Sequence, residues 1–189
     1  GEDIALLSGD ALLTHAFYLA SSAENIKPEY CIKAVKELSY LAGYHGMIGG
    51  QVIDLQSEGK QVPIDAICEI NALKTGALLK AAAKIGVILA GGNDETLKLA
   101  DKYGEKLGLA FQIMDDILDE CGNEKELGKP VHSDEKNKKS TFVSIYGIKK
   151  CNEKAKSLTD EALFCLKKIG GDTKFLEDLT VYLKKKNAI

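Results

Sequence analysis

The sequence of 189 residues contains no arginine and no tryptophan, so all 25 of its basic residues are lysines. The formal net charge is −3, and the lysines do not form a basic stripe interleaved with aromatic residues. Proteins that bind nucleic acid usually carry such a stripe. Nucleic acid is therefore not expected as a partner.

Long uncharged apolar runs are also lacking. The longest, around residues 77–90, is interrupted by Lys80 and Lys84, and the first residues do not resemble a signal peptide. We expect no transmembrane segment and a cytoplasmic location. Paired cysteine motifs are missing as well, and an odd number of scattered cysteines fits the reduced thiols of a cytoplasm rather than a zinc site. The five are Cys31, Cys68, Cys121, Cys151 and Cys165.

Apolar residues recur at i, i+3, i+4 and i+7 through most of the chain, whereas alternation with a period of two is almost absent. This pattern predicts an all-α fold, with helices over residues 3–22, 28–57, 64–89, 93–120, 140–146, 148–169 and 172–186. With 45% hydrophobic residues, the chain can bury one core, and residues 1–189 are expected to form a single helical domain. Residues 121–139 are polar and lysine-rich, and a loop of that length is usually functional or mobile.

The segment FQIMDDILD at 111–119 places three aspartates in an otherwise apolar helix. With 3.6 residues per turn, Asp115, Asp116, Asp119 and Gln112 fall within about 100° of the helical wheel. Like charges four residues apart oppose helix formation by about 0.2–0.5 kcal/mol, and no lysine three or four residues away offsets them. Another charge should therefore compensate the stripe.

Two interpretations of the acidic stripe are open. It is a solvated helix face, or it is a site for a divalent cation such as Mg²⁺, which prefers oxygen ligands and often shares its shell with substrate phosphates. Gly104 and Gly108 lie on the same side of the helix, so we expect the stripe to continue into a space free of side chains. If phosphate completes the site, lysines should face the same cavity.

Lys74 is the first candidate among the lysines, because it stands in the middle of an apolar helix face in INALKTGALLK. A buried ammonium group needs an anion; alternatively, the side chain reaches solvent at a helix edge. Thr75 adds a hydroxyl group beside it. Lys129 and Lys139 follow the acidic helix and could fold back over the carboxylates, although each is also typical of an ordinary surface lysine.

Four motifs occur in an order that resembles the trans-polyprenyl diphosphate synthases, the family of farnesyl and geranylgeranyl diphosphate synthases. They are GMIGGQVIDL at 46–55, KTG at 74–76, FQIMDDILD at 111–119 and GKPVHSDEKNKKSTFVSIYG at 128–147. The resemblance implies an all-α isoprenoid-synthase bundle, usually a homodimer. It also implies a prenyltransferase in which Mg²⁺ and lysines hold an allylic diphosphate, which ionises and alkylates isopentenyl diphosphate.

The resemblance also implies roles for individual residues. Asp115 is expected as a principal magnesium ligand, with Asp116 and Asp119 supporting it directly or through water. Gln112 corresponds to the glutamine that precedes this motif on the substrate-facing side.

A second group of residues is implied to hold the allylic substrate. Lys74, Lys129 and Lys139 correspond to the three lysines that grip the diphosphate. Thr75 is expected beside the reacting carbon.

The sequence departs from the family in lacking its first aspartate-rich motif and the arginines that bind isopentenyl diphosphate. We expect that an N-terminal segment is missing and that residues 1–189 alone are inactive. Two other functions stay open: a non-catalytic regulatory subunit of a heteromeric prenyl synthase, and a helical interaction protein whose acidic stripe is solvated.

Overall fold

The computed structural model describes residues 1–121 and 140–186, and these ranges contain helices and no β-strand. The prediction of an all-α fold is therefore confirmed. In chain order the α-helices are α1 (Glu2–Ser21), α2 (Pro28–Ala42), α3 (Met47–Ser57), α4 (Ile64–Asn71), α5 (Ala77–Leu89), α6 (Asp94–Cys121), α7 (Phe142–Tyr146), α8 (Ile148–Ile169) and α9 (Lys174–Lys186).

The helix predicted over residues 28–57 is wrong in its middle, because the chain turns between α2 and α3. Two glycines allow this turn. A side-chain carbon at Gly46 would lie 1.9 Å from the carbonyl oxygen of Leu41, and one at Gly43 would lie 2.6 Å from that of Ser39. Apolar periodicity continues across the turn, so the pattern alone does not reveal it.

The helix predicted over residues 64–89 is continuous but not uniform. One turn of π-helix, Ala72–Gly76, joins α4 to α5. Such a turn holds one residue more than an α-helical turn, and π turns inside helices occur frequently at functional sites. Lys74 and Thr75 lie within it.

The long helix α6 is the central element of the fold. Its start was predicted at Asn93, and this is confirmed, because the Asn93 side-chain oxygen accepts a hydrogen bond of 2.9 Å from the Thr96 backbone N–H. With 28 residues, α6 is about 42 Å long. It packs against α5 on one side and α8 on the other.

Gly104 and Gly108 do not border an open space, so that expectation is wrong. A side-chain carbon at Gly104 would lie 2.6 Å from the Lys80 Cα, and one at Gly108 would lie 2.8 Å from the Gly76 Cα. The two glycines instead let α6 approach the backbone of the π turn and α5. This approach brings the acidic part of α6 near Lys74 and Thr75.

The largest cluster of buried apolar side chains lies directly beneath the acidic part of α6. Ile113 and Ile117 of α6 pack there with Phe142 of α7 and Leu158 of α8. Burial of such side chains is the main favourable contribution to folding. The core therefore fixes the helix face opposite to the carboxylates.

A partly buried ion-pair network joins α2, α5 and α6. Lys84 of α5 donates a hydrogen bond to Glu37 of α2 and lies 3.4 Å from an Asp101 carboxylate oxygen of α6. Burial alone would lower the pKa of Lys84, but the Glu37 and Asp101 carboxylates outweigh it, so the pKa is raised. The network holds three helices together through one ammonium group.

The first helix contrasts with the rest of the described structure, because its apolar side chains are largely exposed. Leu6, Leu7 and Leu12 are 69%, 61% and 72% exposed, and only Ala20 is buried. Among the described helices, α1 alone is long and apolar enough to cross a membrane, a criterion that core helices of soluble proteins also meet.

Candidate active site

A polar cavity of about 220 Å³ lies where α3, α4, the π turn and α6 meet the residues before α7. Two isoleucines of α4 form its apolar wall, and the remaining lining residues are polar or charged. The described lining residues are Asp54, Ile67, Ile70, Asn71, Lys74, Gln112, Asp115, Asp116, Ser140 and Thr141.

Lys74 reaches this cavity because α3 lies directly against the π turn. A side-chain carbon at Gly50 of α3 would come within 2.3 Å of the Lys74 backbone nitrogen, so the contact requires glycine. Asp54 follows Gly50 by one turn and accepts a hydrogen bond of 2.5 Å from the Lys74 ammonium group. The close contact between α3 and the π turn thus brings Asp54 and Lys74 together as an ion pair at the cavity wall.

The Lys74 side chain is 36% exposed, whereas the Asp54 side chain is 13% exposed. The Lys74 side chain is therefore less buried than expected from its position on an apolar helix face. The extra residue in the π turn changes the helical phase around Lys74, which a uniform helical wheel does not represent. The ammonium group lies at the cavity wall, paired with an anion and open to solvent.

The three aspartates of α6 occupy different environments. Asp115 lines the cavity and is half-buried, whereas Asp116 and Asp119 are only 6% and 8% exposed. Asp116 also lines the cavity; Asp119, one turn after Asp115, is not among the lining residues. The acidic stripe is thus not a uniformly solvated face.

Asp116 makes contacts with both of its carboxylate oxygens. One accepts a hydrogen bond of 3.1 Å from the Gln112 side-chain amide, and the other accepts one of 2.9 Å from the backbone N–H of Phe142. The second bond fixes the start of α7 against α6. The charge of Asp116 also reaches Cys151, whose pKa is raised mainly by burial and further by this carboxylate.

Gln112 links the acidic helix to the π turn. Its side-chain oxygen accepts a hydrogen bond of 3.1 Å from the Thr75 hydroxyl, while its amide nitrogen donates to Asp116. These two bonds determine which end of the amide faces which partner. Thr75, Gln112 and Asp116 thus form a continuous hydrogen-bonded chain beside Lys74.

Ser140 and Thr141 are cavity residues that the sequence interpretation did not select. The Thr141 side chain accepts from the Ser144 backbone N–H, and the Ser144 side chain accepts in return from the Thr141 backbone N–H. This reciprocal arrangement is a capping box. The spacing of Thr141 and Ser144 before an apolar segment would have indicated the start of α7.

Lys129 and Lys139 lie outside the described residues, as does the predicted loop apart from Cys121 at the end of α6. Within the described lining, Lys74 is the only cation and faces three carboxylate side chains, those of Asp54, Asp115 and Asp116. The described part of the cavity wall is therefore acidic overall.

The donor atoms of the cavity suit a hard cation. Its described polar side chains offer carboxylate, amide and hydroxyl oxygens, and none of the described lining residues is a cysteine or a histidine. This chemistry fits Mg²⁺, which is commonly held by one or two carboxylates together with waters and substrate phosphates. The described residues do not bring together three acids, cysteines or histidines as a complete protein-only metal site.

Comparison with known proteins gives consistent results. Residues 1–169 match the family model described as polyprenyl synthetase. The chain is 42% identical over 193 aligned positions to farnesyl diphosphate synthase of Escherichia coli K12, covering 99% of this chain and 64% of that protein. The chain thus spans less than two thirds of this relative.

Solved structures share the fold. Geranylgeranyl pyrophosphate synthetase from Pyrococcus horikoshii Ot3 is similar with a TM-score of 0.81 and 30% identity, covering 97% of this chain and 67% of that one. Geranyltransferase from Helicobacter pylori, complexed with magnesium and isoprenyl diphosphate, is similar with a TM-score of 0.78 and 32% identity, covering 96% and 59%.

Proposed function

Because the chain belongs to the polyprenyl synthetase family, we propose that it contributes the allylic diphosphate site of a prenyltransferase that uses isopentenyl diphosphate as its second substrate. The observation that carries the proposal is the cavity that Lys74, Gln112 and Asp115 line together, with Thr75 hydrogen-bonded to Gln112 beside it. These groups come from separate segments. Their convergence supports the proposal, because an ammonium group can bind diphosphate oxygens while carboxylates hold an accompanying cation.

In the proposed reaction, the bond between the allylic carbon and the diphosphate oxygen breaks, and its electron pair leaves with the diphosphate. The carbocation is attacked by the double bond of isopentenyl diphosphate, and loss of a proton gives the longer allylic diphosphate and pyrophosphate. Negative charge develops on the departing oxygen. Groups that stabilise this charge accelerate the reaction.

Lys74 is proposed to donate hydrogen bonds to diphosphate oxygens as this charge develops. Thr75, which donates a hydrogen bond to Gln112, is proposed to lie beside the reacting carbon, with Gln112 on the substrate-facing side. Asp115 with Asp116 and Asp119 would hold Mg²⁺ directly or through water, and the metal would supply Lewis-acid stabilisation of the leaving group. Lys129 and Lys139 are proposed as further diphosphate ligands.

Binding of inorganic pyrophosphate tests this proposal without requiring the second substrate. In the full-length protein that contains this chain, calorimetry is expected to show binding that depends strongly on Mg²⁺ and is lost in Asp115→Ala. Asp65→Ala, on α4, serves as a control with a carboxylate outside the cavity and is expected to bind normally. Wild-type binding without any effect of Mg²⁺ would contradict the proposal.

Two alternatives make different predictions. Burial of Asp116 and Asp119 argues against a helical interaction protein with a solvated stripe. A non-catalytic regulatory subunit would lack the family's first aspartate-rich motif and the arginines that follow it in the complete reading frame. A catalytic subunit needs both, and we propose that residues 1–189 alone do not turn over substrate.

We further propose a cytoplasmic homodimer. All five cysteines are free thiols, which fits a reducing compartment. The apolar side chains exposed along α1 provide a surface that a second copy could cover. We propose that the described helices belong to one catalytic domain.

A further inference from the structure

A second cavity, of about 430 Å³, lies between α4, α6, α7 and α8. None of its described lining residues also lines the candidate active site. Cavities of this size with mostly apolar walls and a few polar groups are typical of small-molecule sites. The described lining residues are Ile64, Asp65, Cys68, Leu109, Ile113, Phe142, Tyr146, Lys150, Cys151 and Lys154.

This second cavity is apolar at its base and polar at its rim. Ile113 and Phe142 are only 1% and 5% exposed, and Leu109 beside them is half-buried. The exposed part of the lining includes Lys150 and Lys154 of α8. A ligand that matches the cavity therefore has an apolar body and a polar end.

The charges at the rim favour an anion. Lys150 and Lys154 lie four residues apart, so their side chains project from the same face of α8. Within the described residues, neither ammonium group forms a salt bridge. Asp65 provides the one carboxylate of the described lining against these two cations. The described lining is therefore positive, in contrast to that of the candidate active site.

The charge of Lys154 also acts inside the cavity. Burial raises the pKa of the Cys68 thiol, and the Asp65 carboxylate raises it further, whereas Lys154 lowers it. Cys68 belongs to α4 and Lys154 to α8, so the ammonium group acts on a thiol of another wall. An anionic group between these walls would meet the same positive charge.

We propose that the second cavity binds a small apolar carboxylate. Its carboxylate group would lie between Lys150 and Lys154, and its hydrocarbon body would cover the buried side chains of Ile113 and Phe142. A bare polyanion would leave the apolar base uncovered, and an apolar cation would be repelled by the lysines. This site is additional to the proposed prenyltransferase function and does not depend on it.

Calorimetric titration with decanoate tests the proposal in the full-length protein that contains this chain. Decylammonium has the same hydrocarbon body with the opposite charge, and it should bind at least about tenfold more weakly than decanoate. Decylammonium binding as tight as that of decanoate would overturn the inference.

Two double variants test the role of the lysines. Lys150→Met/Lys154→Met should weaken decanoate binding by about fivefold or more. Lys149→Met/Lys167→Met is the matched control, because it removes two exposed lysines of α8 that do not line the cavity. It should change decanoate binding by less than about twofold. Equal losses in both double variants would overturn the inference.

Thiol labelling locates the bound ligand. Cys68 lines the cavity and is half-buried, whereas Cys121 at the end of α6 is exposed and is not a lining residue. Saturating decanoate should slow modification of Cys68 by N-ethylmaleimide by about threefold or more, because it blocks access and offsets the charge of Lys154 that favours the thiolate. Labelling of Cys121, followed by peptide mass spectrometry, should not change. A Cys68 thiol without protection would overturn the inference.

Competition with pyrophosphate separates this site from the candidate active site. Because the two cavities share no described lining residue, pyrophosphate with Mg²⁺ should change decanoate affinity by less than about twofold. Displacement of decanoate by pyrophosphate would place both ligands in one site and overturn the inference. Failure of pyrophosphate to bind at all would instead contradict the proposed function.

Discussion

Asp115 and Asp116 are adjacent in the chain, yet the fold gives them different surroundings. The Asp116 carboxylate accepts hydrogen bonds from Gln112 and from the first backbone N–H of α7. Asp115 is half-buried and faces the cavity. Asp116 therefore stabilises the junction of α6 and α7, and Asp115 is better placed to meet a ligand.

This difference predicts different effects of the same substitution at the two positions. Asp116→Asn replaces one accepting oxygen by an amide that faces a donor, so a buried group loses its partner. We expect the free energy of unfolding to fall by about 1–3 kcal/mol. Asp115→Asn, at a half-buried position, should lower it by less than Asp116→Asn does, while weakening pyrophosphate binding in Mg²⁺.

Urea denaturation followed by circular dichroism measures both stabilities, and calorimetry with pyrophosphate measures binding. Equal destabilisation by the two substitutions would contradict the distinction between them. Such a result would mean that the hydrogen bonds of Asp116 to Gln112 and Phe142 stabilise the fold no more than the contacts of Asp115 do.

At the scale of whole elements, close packing of helices depends on glycines at long sequence separation. Gly50 admits the backbone of the π turn, and Gly108 admits Gly76. Sequence periodicity predicted α6 almost to its ends. The apolar spacing within this helix is regular, and Asn93 is a typical N-cap residue. It missed the break at Gly43 and Gly46, since a glycine in an apolar pattern indicates a turn and a close helix contact equally well.

The close contact at Gly50 can be tested against a glycine in open space. Gly50→Ala places a carbon 2.3 Å from the Lys74 nitrogen, so α3 must move away. We expect a loss of about 1–3 kcal/mol in unfolding free energy and weaker pyrophosphate binding in Mg²⁺, because α3 and the π turn together form part of the cavity wall.

Gly86→Ala is the control within α5. A side-chain carbon at Gly86 meets no atom within 4 Å, and alanine favours a helix over glycine by about 0.5–1 kcal/mol. This variant should therefore be slightly more stable and bind pyrophosphate normally. Thermal melting of both variants checks the prediction, and a Gly50→Ala protein as stable as the wild type would contradict it.

At the scale of the whole molecule, the candidate site was partly accessible from the sequence. The helical wheel placed Gln112 and the aspartates on one face of the helix. Lys74 was selected because it is a charged residue in the middle of an apolar helix face. The partner of Lys74 could not be assigned in the same way, because Asp54 lies 20 residues away on a different helix. Local periodicity shows which side chains share one face of a helix. Which side chains of two different helices meet depends on how those helices pack.

The surface of α1 presents a whole-molecule problem of a different kind. Its exposed leucines lie around much of the helix, and α2 is the main described element that packs against it. Helices that are apolar on all sides are normally buried. Our proposal of a homodimer assigns this burial to a second copy of the protein.

A single charge on α1 distinguishes the possible partners of this surface. Leu12 is 72% exposed, so Leu12→Lys should leave the fold intact but place an ammonium group in the proposed interface. Light scattering of the full-length protein is expected to give the mass of a dimer for the wild type and of a monomer for Leu12→Lys. Phe175→Lys is the control, because Phe175 on α9 is also exposed, at 75%. A Leu12→Lys dimer would contradict assembly through α1, and a monomeric wild type that floats with phospholipid vesicles would assign the helix to a membrane surface.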